Sequence, residues 1–273
     1  MRGALVGVCA LLVAASAAGC GGTGAAAPPT TTVRQLRQFR VVFPEGFTRA
    51  QMAARVTAVS KIAEHESHRK VKLSGDEYAA ATAKPRTFPG FGPRKLPFEG
   101  FLFPDTYDFD RKSTSAQLVQ NQLAEFAAQW STLDLSYARS KNLTPYDVLT
   151  IASMVEGEAQ VPSERPLVAA VIYNRLHERM PLGIDATLRY GLHIPPTQSL
   201  TQSDLHNPTP YNTRTHDGLP PTPINNPGMA SLEAAAHPAH VDYLYFVRKP
   251  DHKHHYFTAN YQDFLQHEAQ YGY

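Results

Sequence analysis

Cysteine is nearly absent from this sequence. Two occur in 273 residues, Cys9 and Cys20, both close to the N-terminus. The chain beyond Cys20 therefore has no disulfide, no thiol nucleophile and no thiolate metal site, and its fold must be held by a core. An excess of one charge is lacking too. Lys and Arg total 26 against 24 Asp and Glu, a net charge of +2, too mild a balance to argue for a nucleic-acid partner. The apolar run from Ala4 to Ala18 falls short of the ~20 residues that a membrane span needs.

That run has the form of a secretory signal: Arg2 precedes it and small residues follow it. The ending "AAGC" (Ala17 to Cys20) resembles a bacterial lipobox, with alanine where leucine is most usual. Residues 1–19 are read as a lipoprotein signal peptide and Cys20 as the lipidated residue; a plain secretory cleavage or an uncleaved anchor stays open. Residues 20–39, which include "GGTGAAAPPTTT", read as a flexible tether. The expected location is the extracytoplasmic face of the cell membrane, with the chain lipid-anchored.

With 42% hydrophobic residues, the remainder can build one sizeable domain or two small ones. "FRVVFPEGFTRAQMAARVTAV" reads as a strand, a turn and a helix with Thr48 as N-cap, and "LSGDEYAAATA" as a second short helix. The Phe/Pro/Gly-rich stretch "KPRTFPGFGPRKLPFEGFLFPDTYDF" is expected to pack a seam rather than line a ligand groove. In "STSAQLVQNQLAEFAAQW", Leu118, Leu123, Phe126 and Ala127 support an amphipathic helix.

The strongest local signal is "LTPYDVLT". Thr144 can cap, Pro145 suits the first helical position and Asp147 the third. The helix it opens carries Val148, Ile151, Ala152 and Val155 and ends at Glu156, Gly157 and Glu158, with Gly157 as a plausible stop. A helix C-terminus disfavours carboxylates. Partial burial and mutual repulsion act in the same direction, and all three raise a pKa toward the range of a general acid. The residues alone leave open an ordinary pairing of both acids with Arg165 or Arg175.

"TIASMVEGEAQVPSERPLVAAVIYNRL", "RMPLGIDATLRYGL", "TPYNTRTHDGLPPTPINNPGMASLEAAAHPA", "DYLYFV" and "HHYFTANYQDFLQH" succeed one another along the chain. Together they resemble the endolytic murein transglycosylase family (MltG/YceG-like). Upstream, "FPEGFT" and "FEGFLFPDTYDF" look like its LysM-like segment and the entry to its catalytic domain. The implied fold is α+β: a small LysM-like unit at 40–95, then a catalytic domain at 96–273 with a lysozyme-like catalytic helix and a short antiparallel sheet.

The resemblance implies endolytic cleavage of the β-1,4 bond from N-acetylmuramic acid to N-acetylglucosamine in peptidoglycan, leaving 1,6-anhydro ends and terminating strand elongation. Peptidoglycan strands are the expected partner, with peptidoglycan synthases beside them, no nucleic acid and no cofactor. By the family's Glu-x-Glu-Thr pattern, Glu158 is the expected catalytic acid and Glu156 its modulator. Here Ala159 replaces the hydroxyl residue, which removes one local hydrogen bond. Tyr211, Asn212, Thr213 and Asp185 match family blocks and are expected to bind substrate. A hydrolase that uses Asp185 or Glu156 to activate water, and a non-catalytic glycan-binding or scaffold protein of the cell-wall synthesis machinery, are the alternatives. His252, His254 and His255 invite a metal, but no HExxH accompanies them; a solvated hairpin tip without metal is expected.

Overall fold

The computed structural model describes residues 37–272, so the signal, lipidation and most of the tether readings lie outside the described residues. Strand β1 (Phe39–Val42) leads through the Pro44–Gly46 turn into α1 (Arg49–Ser67) and α2 (Gly75–Ala81). β2 (Thr106–Phe109) then pairs antiparallel with β1, Phe39 opposite Phe109 and Val42 opposite Thr106. Next come α3 (Ser115–Trp130), α4 (Ser136–Ser140), α5 (Pro145–Glu158), α6 (Arg165–His177), α7 (Asp185–Leu192), α8 (Gln202–Leu205) and α9 (Met229–Ala236). The chain ends in the antiparallel hairpin of β3 (Tyr245–Arg248) and β4 (His255–Thr258), followed by α10 (Tyr261–Tyr271). The architecture is α+β, and the described residues form one compact unit.

Local chemistry starts the helices where the sequence marks them. Thr48, Thr114 and Thr144 each accept a bond from the backbone three residues on, and Gln51, Gln117 and Asp147 return it, so each helix opens with a capping box. α5 is the central element. Val148 through Val155 are all buried, and the helix packs against α6, α7 and α9. Ile151 and Met154 are fully enclosed, each stabilising the fold by ~2 kcal/mol.

The aromatic stretch is core. Phe88 stacks on Phe101 at 3.7 Å between centroids, and Phe91 joins them to Phe126 and Trp130 of α3. The segment before residue 95 is knit to the rest of the chain. Besides the β1–β2 pairing, Tyr78 of α2 donates to Gln122 of α3 at 2.6 Å, and Ser115 Oγ caps the backbone of Ser74.

One side chain ties three distant segments together. Asn226, fully buried, accepts from the N–H groups of Gly100 and Leu102 through Oδ1, both at 2.9 Å. Its Nδ2 donates to the Phe47 carbonyl and to Glu99. Its backbone bonds Phe47 and Gly46 as well. Truncation strands the N–H groups of Gly100 and Leu102 in the interior, at ~1–3 kcal/mol for each, and takes one donor from the Phe47 carbonyl and one from Glu99. Asn226→Ala is therefore expected to cost ~2 kcal/mol or more in denaturant unfolding, whereas Asn121→Ala, exposed on α3, should cost under ~1 kcal/mol.

Candidate active site

α5 delivers Glu158 as its last residue, into a groove of about 1240 Å³. The wheel explains why Glu156 takes another path: two residues turn a helix by ~200°, so the two carboxylates leave α5 on opposite sides. Glu158 borders the groove together with Asp185, Tyr190, Tyr211 and Asn225. Glu156 does not border it. Its Oε2 accepts from Ser231 Oγ at 2.7 Å and from the Gly228 N–H at 3.2 Å, which caps the N-terminus of α9. Arg165 approaches its other oxygen at 3.8 Å. For Glu156, then, the ordinary pairing with Arg165 holds, but in a buried setting rather than in solvent.

Glu158 is 9% exposed. Its Oε1 accepts one hydrogen bond, from the Ala186 N–H at 3.2 Å, and its Oε2 makes none with a described residue. Ala186 lies in the first turn of α7, whose N-cap, Ile184, offers no side-chain bond. The carboxyl of Glu158 therefore serves as the missing cap of α7 while closing α5. Gly157 makes this approach feasible: a Cβ there would stand 2.9 Å from the Ala186 Cβ. Gly157 does not stop the helix, as its sequence position suggests; it lets α7 sit against the helix end. The missing hydroxyl at Ala159 is matched by the absence of any side-chain donor to Glu158 among the described residues.

These contacts pull the acid in opposite directions. Burial is the largest influence and Asp185 adds to it, while the Ala186 N–H, Arg248 and Arg214 oppose them. The pKa is pushed up from 4.5 to about 7. Repulsion from Glu156, expected from proximity in sequence, is replaced by that of Asp185, which pairs with Arg214 at 2.7 Å.

Of the residues expected to meet substrate, Asp185 and Tyr211 border the groove and Asn212 and Thr213 do not. The expectation for that pair is corrected. Asn212 is wholly buried and spends Nδ2 on the Leu205 and Asn207 carbonyls and Oδ1 on the Arg214 N–H. Thr213 Oγ1 accepts from the Ile184 N–H at 2.9 Å and bonds Thr187 at 3.0 Å. Both shape the α7 entry from behind. Tyr211 packs edge-on against Tyr190 and bonds Thr222 at 2.9 Å, forming one groove wall.

Two buried acids escape a reading of the sequence. Glu99 lies in the groove wall, accepting from the Arg49 N–H, the Tyr190 hydroxyl and Asn226. Burial raises its pKa to about 7. The one signal was an acid inside the aromatic run "FEGF". Glu164 binds the N–H of His255 at 3.0 Å and its Nδ1 at 2.8 Å. His255 is thus buried, its pKa lowered chiefly by desolvation, rather than part of a solvated tip; His254, exposed, pairs with Asp251.

Comparison with known proteins places this geometry. The model of the YceG-like family matches residues 25–270. A Bacillus subtilis protein named endolytic murein transglycosylase is 34% identical over 220 residues, covering 77% of this chain and 59% of that protein. A Streptococcus pneumoniae protein of the same name is 35% identical over 172 residues, covering 60% of this chain and 30% of that protein. The chain thus spans about three fifths or less of the length of these relatives. The crystal structure of a yceG-like protein from Listeria monocytogenes superposes with a TM-score of 0.70 at 28% identity, covering 83% of this chain and 75% of that one. With its buried Glu158, its groove and a family match over most of its length, the chain belongs to the YceG-like family.

Proposed function

We propose that this chain is an endolytic lytic transglycosylase that cuts the β-1,4 bond between N-acetylmuramic acid and N-acetylglucosamine within peptidoglycan strands. The observation that carries the reading is Glu158: a buried carboxyl with a pKa near 7, held by one oxygen and bordering an open groove. The names of the relatives from B. subtilis and S. pneumoniae support the same chemistry.

In this reading the protonated Glu158 donates its proton to the glycosidic oxygen, and the C1–O bond breaks. The N-acetyl carbonyl oxygen of the muramyl residue closes on C1. The carboxylate left behind then removes the proton of the C6 hydroxyl, whose oxygen displaces the acetamido oxygen at C1. The product is a 1,6-anhydro end, and Glu158 is protonated again without consuming water. A pKa near the working pH suits an acid that must also act as base. Asp185 and Tyr211 flank the strand. Glu156 supports the helix end.

The strand and two helices of residues 39–81 support the LysM-like unit at 40–95, which grips glycan in this reading. Lipid anchoring at Cys20 and contact with peptidoglycan synthases complete the proposal of an enzyme that ends strand growth at the outer face of the membrane. Among the described residues no helix is long and apolar enough to cross a membrane.

Mass spectrometry of peptidoglycan treated with the protein and with Glu158→Gln tests this. Anhydro-ended fragments are expected from the wild type, with a rate loss of ~10³-fold or more in the variant. Reducing ends instead would indicate a hydrolase using Asp185. Comparable anhydro products from the variant would remove Glu158 from the role, and no products from either would favour a binding or scaffold protein.

The pH dependence has a definite sign. Activity that needs protonated Glu158 should fall as pH rises through about 7. Asp185→Asn removes a repelling charge and frees Arg214, so the falling limb should move to lower pH in a kcat/KM profile.

Stability should fall over the same range of pH. A carboxyl with a folded pKa of about 7 and an ordinary value of 4.5 costs stability above pH 4.5, fully above 7. Gln keeps the acceptor for Ala186 and cannot ionise. Glu158→Gln should raise unfolding stability at pH 8 by ~1–3 kcal/mol and leave it unchanged at pH 4, as read from denaturant titrations at the two pH values.

A further inference from the structure

Arginines border the groove at several points, and nearly all are occupied by the protein itself. Arg49 reaches the Ala79 carbonyl and Thr82. Arg175 donates to the carbonyls of Leu244, Pro181 and Leu182. Arg189 holds the Pro195 and Gln198 carbonyls. Arg214 pairs with Asp185 and bonds the Gly183 carbonyl. Arg248 also borders the groove, half-buried, yet its guanidinium makes no hydrogen bond or ion pair with any described residue.

Its anchorage is firm. Arg248 ends β3 opposite His255, and the next hydrogen bond of the hairpin, from the Lys249 N–H to the His254 carbonyl, is 2.8 Å. His255 is clamped to Glu164 through both its backbone and its ring. Glu164 lies six residues beyond Glu158, in the short turn Pro162–Glu164. The backbone of Arg248 is thereby fixed relative to the catalytic helix, while its guanidinium keeps its donors free. It lies within electrostatic reach of both Glu158 and His255. The other acids at this end, Asp185 and Glu268, do not pair with it: Asp185 takes Arg214, and Glu268 forms no ion pair with a described residue.

We propose that Arg248 receives a carboxylate of the glycan strand, and so selects strands by the acidic groups that they carry. This rests on the transglycosylase reading for the identity of the ligand. Muramyl residues carry such groups in two places: the lactyl side chain where no peptide is attached, and the stem peptide where one is. A half-desolvated guanidinium without a counter-charge gains a charge-assisted, two-point hydrogen bond when a carboxylate docks. A neutral sugar offers it only weak acceptors.

The test is the equilibrium affinity of soluble strand fragments for Glu158→Gln and for Glu158→Gln/Arg248→Gln, a background in which strands stay whole. Three ligands are compared: peptide-bearing fragments, fragments denuded by an amidase, and peptide-bearing fragments whose carboxyls are converted to neutral methylamides. The dissociation constant should rise ~10-fold on loss of Arg248 for carboxylate-bearing fragments. It should not change for methylamidated ones. Arg248→Lys should recover part of the loss. A penalty on denuded fragments assigns the lactyl group, and one on peptide-bearing fragments alone assigns the stem peptide. Equal affinities with and without Arg248, an equal loss on neutralised fragments, or no binding with Arg248 intact would overturn the proposal. Failure of the transglycosylase reading appears separately, as missing cleavage products from the parent protein, and leaves the affinity comparison standing.

Discussion

The hydrogen bond from the Ala186 N–H to Glu158 Oε1 joins the end of α5 to the start of α7, and the site is arranged around it. It needs α5 to be enclosed, so that the carboxyl arrives at a fixed height. It needs a residue without a side chain at Gly157, so that α7 can close in. It also needs α7 to begin without a cap of its own, since an Asp or Ser at Ile184 would compete for the same donors. In return, one carboxyl oxygen is held while the other is left without a protein donor.

Electrostatically, Glu158 stands between two helix ends of opposite sign. The C-terminus of α5 disfavours the carboxylate and the N-terminus of α7 favours it. The ion pair of Asp185 and Arg214 places a repelling and an attracting charge 2.7 Å apart, and the repelling one weighs more on Glu158. Loss of hydration is the largest influence, and together with Asp185 it raises the pKa. The reading from sequence had the direction right and its cause in part: burial, rather than repulsion between Glu156 and Glu158, dominates.

What could be read from the chain was local in its physics. Thr144, Pro145 and Asp147 define the start of α5 within four residues, and the start was legible for that reason. The strand, turn and helix of "FRVVFPEGFTRAQMAARVTAV" were legible from pattern in the same way, whereas the α+β class of the whole came with the family resemblance. Glu99 and Glu164 were not. Their partners Tyr190 and His255 each lie 91 residues away, and Asn226 lies 127 from Glu99. Nothing within a short window says that such an acid will be buried and bonded. Asn212 and Thr213 were expected at the substrate from the family blocks alone, and only the fold shows their bonding groups already used.

Placing two glutamates two residues apart at the end of one helix resolves a conflict between stability and function. An acid that resists ionisation must be desolvated, which costs the fold above neutral pH. Glu156 works in the opposite sense, since its carboxylate caps α9 and lies by Arg165. The same helical turn therefore carries one acid that strengthens the packing of α5 on α9 and one that weakens the fold to keep a proton. Because the wheel sends them to opposite sides, the stabilising acid lies outside the groove and leaves the titration of the other to burial and to Asp185. Moving either by one residue would swing it by ~100° and break the separation.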